Sequence, residues 1–384
     1  MDVPKPESAL PHLADVVPSV LAAMGVAAFE TVAGIDLPSP IRGACVLLVD
    51  GLGAELLDAH AAEAPVMAGL RHRTLQVGFP ATTAAGLAAI GTGCRSGEHG
   101  MVGYSFRVPG AGVINALRWR PHPWGEDLRS TVVPETVQPF PTTFERAAGA
   151  GVAVRVVSGA EFAHSGLTRA VLRGGDYVGV HAIGDLGAAV ADTVAGGGFC
   201  WGYHSELDLV GHLHGPGSTA WLMQLRQVDR LVESIVETLP RDGLLAVVAD
   251  HGMVTADPAS VVDIDAHAPL LDGVDAIGGE PRARHVYTSD GAADAVLAAW
   301  RDSLADTAWV LSRDEAIEAG WFGGRVRDDV RGRIGDVVAA ARDAAVLVRR
   351  GAEPMESSLV GHHGSLTPAE QRIPLLLATG LASE

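Results

Sequence analysis

The chain has 384 residues, 48% of them apolar, and carries 28 basic against 46 acidic side chains for a formal net charge of −18. At about 150 residues per domain this length fits two or three domains, or one large α/β unit with an insertion, and the apolar content excludes global disorder. The acidic balance excludes nucleic-acid binding through a general basic surface, yet leaves an anionic substrate open if metal ions reverse the sign locally.

In chain order, the opening residues (MDVPKPESALPHLADVV) lack a basic segment followed by an apolar one and a small-residue cleavage site. The apolar stretch Val16–Phe29 is too short to span a bilayer and is interrupted by Pro18. A cytoplasmic protein with no membrane partner is expected. Short apolar runs predict strands at Ala44–Val49, Thr74–Gly78, Val152–Val157, Phe199–Tyr203 and Leu244–Ala249. Between them, helices are predicted at Ala54–Ala61, Thr83–Ile90, Thr142–Ala148, Asp185–Ala195 and Thr219–Leu239. In the last of these, Trp221, Leu225, Val228, Leu231, Val232 and Ile235 recur at helical spacing, which marks a core-facing side. Such alternation predicts an α/β fold with a largely parallel sheet. The Pro- and Gly-rich stretch Val108–Gln138 reads as a long surface loop, of the kind that often carries function in compact enzymes.

From Val262 to Arg350 the pattern changes. Strand-like His285–Thr288 and Trp309–Leu311 flank a helix at Ala292–Leu304, charged Gly324–Arg333 follows, and a sheet strand returns at Arg372–Ala378. Residues 262–350 are therefore expected to form a small inserted α+β cap, and residues 1–261 and 351–384 one core. The cap is expected to lie over the functional site. Cys45, Cys94 and Cys200 include no Cys-x-x-Cys pair, so neither a disulfide framework nor a cysteine zinc site is supported.

Five short segments carry chemistry-bearing residues. Asp50 in VLLVDGLG ends a strand, where ligands of open α/β sheets collect; it either holds a metal or phosphate there or caps the next helix. In FPATTAAG a small-residue helix starts at Thr82 or Thr83. A hydroxyl there either caps the helix or, sitting in the positive end of its dipole, attacks an anionic phosphoryl group. His99, in the EHG turn that follows this helix, reads as structural. In YHSELDLVGHLHG, Asp208 and His212 are four apart and share a helical face, with His204, Glu206 and His214 crowded alongside. Asp250 and His251 end the strand of LLAVVADHGM, a hard-carboxylate and imidazole pairing common for zinc or manganese. Finally, His362 and His363 lie between glycines in SLVGHHGS.

Taken together, the ordered series Asp, Thr, Asp-x3-His, Asp-His and Gly-x-His-Gly resembles the alkaline phosphatase superfamily. Within it the chain is most similar to the nucleotide pyrophosphatase/phosphodiesterase family, from about Ala44 to Leu377. The resemblance implies an alkaline-phosphatase-like three-layer sandwich with a mostly parallel central sheet. It also implies two Zn2+ ions per chain, or Mn2+ or other divalent ions, about 4 Å apart. One ion would take Asp208, His212 and His363; the other would take Asp50, Asp250, His251 and the hydroxyl of Thr83. Thr83 rather than Thr82 matches the family's nucleophile position, and Gly361 to Gly364 select His363 over His362.

Two positions depart from the nucleotide-cleaving pattern: Ala84 stands where those enzymes carry an aromatic, and Gly86 where they carry an Asn. The implied activity is hydrolysis of phosphodiester or pyrophosphate bonds in a small phosphorylated substrate, through a phospho-threonine at Thr83. The alternatives are a phosphomonoesterase, phosphonate hydrolase or phosphomutase of the same superfamily, or a non-catalytic metal-binding member.

Overall fold

The run Gly43–Val49 is buried at every position, as a strand covered on both faces must be. It lies at the centre of a computed structural model that describes residues 3–380; residues 1–2 and 381–384, the outer ends of the expected core, lie outside the described residues. Two sheets matter for the site. They are built from β1 (Gly43–Val49), β2 (Arg71–Gln76), β3 (Val154–Gly159), β4 (Asp176–Val180), β5 (Phe199–His204), β6 (Gly243–Val248), β7 (Val274–Glu280), β8 (Ala283–Thr288), β9 (Ala308–Ser312), β10 (Val337–Ala341) and β11 (Arg372–Thr379).

The main sheet has seven strands in the order β2-β11-β6-β1-β5-β3-β4. β11 runs antiparallel to both neighbours, while the other pairs are parallel. This is an α/β fold with a mixed, mostly parallel central sheet. The helices that position the site are α1 (Thr83–Thr92), α2 (Glu206–His214), α3 (Thr219–Thr238) and, in the smaller unit, α4 (Ala293–Ser303). α3 starts where Ser218 accepts from the Trp221 amide, and it buries Trp221, Leu225, Val228, Leu231, Val232 and Ile235, the side its spacing selects. α1 is buried all round, which its Ala- and Gly-rich sequence permits: a Cβ at Gly91 would stand 1.7 Å from the Val171 carbonyl oxygen.

The second sheet is antiparallel, in the order β7-β8-β10-β9. Strand alternation divides its side chains between two cores. Val286, Val310, Val337 and Ala339 pack with Val296 and Trp300 of α4. From the opposite face Ala283, Leu311, Val338 and Ala340 join the main core.

The segment read as a surface loop is a correction. Within it and at its edge lie short strands at Ser105–Val108, Gly112–Asn115 and Arg120–Pro121. Ile114, Ala116, Trp119 and Val137 are buried there, and the Trp119 indole donates to the Val132 carbonyl at 2.7 Å. The apolar residues dispersed among its prolines and glycines fold it onto the core. The strand expected at Thr74–Gly78 instead ends at Gln76, because Gly78 (φ +82°) turns the chain out of the sheet.

Candidate metal centre

Three adjacent strands, β6, β1 and β5, deliver the centre from their carboxyl ends, the ligand-gathering edge of a parallel sheet. Asp50 directly follows β1, Asp250 and His251 follow β6, and the chain leaving β5 enters α2, which carries Asp208 and His212. His363 arrives from the segment before β11. Two sets of side chains place one ligand atom each within 4.8 Å of one another: Asp208, His212 and His363, and Asp50, Asp208 and His251. Asp208 belongs to both. Asp250 belongs to neither set, although its Oδ2 is 3.7 Å from His251 Nε2.

All three imidazoles are oriented the same way. His251 Nδ1 faces the Gly252 carbonyl at 3.0 Å, His212 Nδ1 the Gly361 carbonyl at 2.7 Å, and His363 Nδ1 the Ala81 carbonyl at 2.8 Å. A carbonyl only accepts, so each Nδ1 carries a proton, and each ring, when neutral, has its lone pair on Nε2. These lone pairs converge: His363 Nε2 lies 3.2 Å from His212 Nε2, and the His363 ring stacks on His251 at 3.6 Å. His362, by contrast, turns Nε2 to the Leu359 carbonyl at 3.1 Å. His204 pairs with Glu206 at 2.9 Å, outside both sets.

The carboxylates are incomplete. Tyr203 donates its hydroxyl to Asp50 Oδ2, and the Gly51 amide donates to Asp250 Oδ1. Asp50 Oδ1, Asp208 Oδ1 and Asp250 Oδ2 are buried without a hydrogen-bond donor, a costly state for a charged oxygen. Protonation reflects the crowding. Burial pushes Asp250 well above the usual carboxylate range, and neighbouring Asp50 adds to the push. At His251 burial opposes the charged ring, yet Asp250 and Asp50 hold it well above its ordinary value. Burial also opposes the Asp208 anion, but His212 and then His363 overcome it and keep that carboxyl low. Converging imidazole lone pairs beside orphaned carboxylate oxygens suit divalent transition ions, and the donor set of nitrogen and oxygen without sulfur suits zinc or manganese.

Thr83 is the first residue of α1, 8% exposed, with Oγ1 3.3 Å from His251 Nε2. Thr82 occupies the N-cap position but makes no side-chain cap; its hydroxyl donates instead to Glu280 Oε2 at 2.7 Å. Of the two alternatives for these hydroxyls, capping of the helix is not seen, because each faces a partner outside α1. Gly86 has a packing reason: a Cβ there would lie 2.4 Å from the Asp250 Cβ. No Asn fits at that position while α1 rests on Asp250.

Two cavities open on either side of Thr83. One, of about 290 Å³, includes Asp50, Leu87, Leu117, Phe162, Trp201 and Tyr203. The other, of about 310 Å³, includes Tyr104, Arg118, Glu280, Pro281, Glu356 and His363. Glu280 and Pro281 come from the segment read as an insertion, which thus reaches the site. Tyr203 and Glu280 escaped sequence reasoning. Tyr203 opens the YHSELD segment but meets Asp50 only through the β1–β5 register, and Glu280 is a lone acid whose partner Thr82 is 198 residues away.

Comparison with known proteins follows this geometry. The fold resembles murine ectonucleotide pyrophosphatase/phosphodiesterase 5, with TM-score 0.66 and 18% identity over 88% of each chain. It also resembles phosphonoacetate hydrolase from Sinorhizobium meliloti 1021 in complex with phosphonoformate, with TM-score 0.65, 20% identity, and 92% and 94% of the two chains covered. An inactive variant of the murine protein, in complex with AMP, matches at TM-score 0.65 and 16% identity, again over 88% of each chain. No curated protein sequence matches. The family model for type I phosphodiesterase / nucleotide pyrophosphatase matches residues 44–366, and the chain belongs to that family of hydrolases.

Proposed function

We propose that this family member is a two-metal hydrolase that cleaves phosphodiester or pyrophosphate bonds through a phospho-threonine on Thr83. The observation that carries the reading is the convergence of three Nε2 lone pairs and the Asp50 and Asp208 carboxylates beside the Thr83 hydroxyl. Asp208, His212 and His363 would hold one ion; Asp50, Asp250 and His251, with Thr83, would hold the other. When bound, two divalent ions, zinc in our reading, lower the pKa of a coordinated hydroxyl and neutralise phosphoryl charge.

The chain's own groups do the rest. Thr83 Oγ1 forms the new bond to phosphorus as the ester or anhydride oxygen departs with its electron pair. In the first turn of α1, Ala85 and Gly86 donate to the Thr82 carbonyl, which leaves the Thr83 and Ala84 amides, at the positive end of the helix dipole, for phosphoryl oxygens. Water then cleaves the phospho-threonine, returning the hydroxyl and releasing the phosphoryl group. Thr82, engaged with Glu280, is held out of this role. Residues 262–350 act as a cap on the core of 1–261 and 351–384, and supply Glu280 and Pro281 to the substrate cavity.

The substrate is a small phosphorylated molecule, and the AMP bound by the murine protein's inactive variant supports that reading. The exposed Arg118 sits in the second cavity, where, among the described residues, its guanidinium meets only the Met355 sulfur, at 3.7 Å. A free guanidinium facing the reaction favours a substrate with a second anionic group, either a pyrophosphate or a carboxylated phosphonate. Metal analysis together with turnover of a generic aryl phosphodiester tests the proposal. Close to two divalent ions per chain and activity lost on chelation are expected; full activity with one ion per chain at saturation overturns the two-metal reading.

A further inference from the structure

Behind α1, a separate cavity of about 210 Å³ lies between that helix, the chain around His12 and the turn from Gly320 to Gly324. It exceeds the roughly 150 Å³ apolar cavity that admits benzene in a protein core. Ala85 and Ala89 of α1 form one wall. Phe79 forms another, with the Trp321 and Phe322 rings 4.9 and 5.5 Å from it.

The side-chain donors around this cavity are almost all engaged. Gln76 donates to the Glu7 and Leu10 carbonyls, Ser96 to Phe79, and the Trp321 indole to Pro4. His12 accepts from Ala14 and bonds the Val77 backbone, and Arg95 directs both terminal nitrogens to Asp15. His99 is the exception. It is 1% exposed, and its Nδ1 accepts from the Met101 amide at 3.1 Å. An accepting Nδ1 places the neutral ring's proton on Nε2, and among the described residues that N–H meets no acceptor. Burial first, then the guanidiniums of Arg333, Arg95 and Arg327, push His99 down to about 3, so it remains a neutral donor at physiological pH.

We propose that this cavity binds a small organic carboxylate, with its apolar body against Phe79, Trp321 and Ala89 and its carboxylate accepting from His99 Nε2 near Arg95, Arg327 and Arg333. A carboxylate provides the missing acceptor, and the nearby guanidiniums favour an anion over a neutral carbonyl. The site is independent of the metal centre, which lies across α1.

Benzoate binding to the full chain, measured by titration calorimetry with and without chelator, tests this. Binding in both conditions is expected. His99→Asn keeps an acceptor for the Met101 amide but loses the donor into the cavity, and weakens benzoate by about tenfold or more. His99→Gln, which returns an N–H near the Nε2 position, restores most of the affinity, and neither variant changes turnover. Toluene offers the same ring without an acceptor and binds the unaltered protein at least about tenfold more weakly. This second comparison needs no variant to fold. Absence of benzoate binding at millimolar concentration, undiminished binding by His99→Asn, or equal binding of toluene overturns the proposal. So does binding that disappears with chelator, which would assign the carboxylate to the metal centre.

Discussion

Two buried charge clusters meet at the β7–β8 hairpin, and they are completed in opposite ways. On one side, Arg282 and Arg284, both fully buried, reach the carboxylates of Glu370 and Glu353. Glu370 receives Arg282 Nε at 2.9 Å, Thr367 at 2.6 Å and the Ser365 amide at 2.9 Å. Glu353 adds His122 at 2.9 Å. On the other side, two residues earlier in the hairpin, Glu280 turns toward His363, and each of Asp50, Asp208, Asp250 and Glu280 retains a buried oxygen without a donor. No guanidinium pairs with any of them among the described residues. The first cluster balances its anions with the chain's own cations and serves the fold. The second leaves its anions to a charge from outside the chain, and such an arrangement lowers stability in exchange for binding.

The largest effect that could break this contrast is catalytic. Thr83→Ala should lower turnover by roughly 10³-fold or more while metal content, measured by elemental analysis, persists, because the six Asp and His ligands remain. Phosphate trapped at low pH should map to Thr83 by mass spectrometry; phosphate on Thr82 would refute the assignment. In the balanced cluster, Arg282→Ala should cost about 3–5 kcal/mol of folding free energy by leaving Glu370 buried alone, with no rescue by added metal. The incomplete cluster should behave in reverse. Zinc at about 100 times its dissociation constant should stabilise the wild type by about 2.7 kcal/mol, and Tyr203→Phe should weaken metal affinity about tenfold by freeing Asp50. A denaturation midpoint indifferent to zinc would remove the distinction between the clusters.

The clusters also respond to pH with opposite signs. At Glu353 burial opposes the anion, but Arg284 and His122 hold it down to about 2 against an ordinary 4.5. Its contribution is present above the unfolded value and is lost as pH falls through that window. Burial raises Glu280 to about 8, with Thr82 only partly offsetting it. Its contribution is intact below about 4.5 and is lost as pH rises toward 8 in metal-free protein. Denaturation midpoints between pH 3 and 8 should therefore fall at both ends without metal, and Glu280→Gln should flatten only the alkaline side. The smallest effect belongs to Thr82→Ala: about 1 kcal/mol, for the loss of one hydrogen bond to Glu280.

Most of the main sheet was legible because its strands are continuous apolar runs ended by Asp or Gly. β1, β5, β6 and β11 lie within one or two residues of their predicted bounds. Asp50, Asp208, His212, Asp250 and His251 stand out in sequence for the same reason: strand ends and a four-residue helical spacing are local signals, whereas His363 is chosen over His362 only through the family resemblance. The balanced cluster was invisible. Arg282 lies in the β7–β8 turn and Arg284 on β8, their partners Glu370 and Glu353 come 88 and 69 residues later (370 − 282 and 353 − 284), and no local pattern encodes that pairing. Sharing of Asp208 between two ligand sets, and the tilt of Thr82 away from a cap and toward Glu280, likewise depend on how distant segments cross.

The bare Cα at Gly86 has a consequence for anyone wishing to place a side chain at that position. Because Asp250 fills the space a side chain would need, introducing Asn at that position displaces either the helix that carries Thr83 or the strand end that carries Asp250. Such a change is therefore a backbone redesign rather than a point substitution, and a laboratory lineage should acquire changes along α1 before it accepts any side chain at 86.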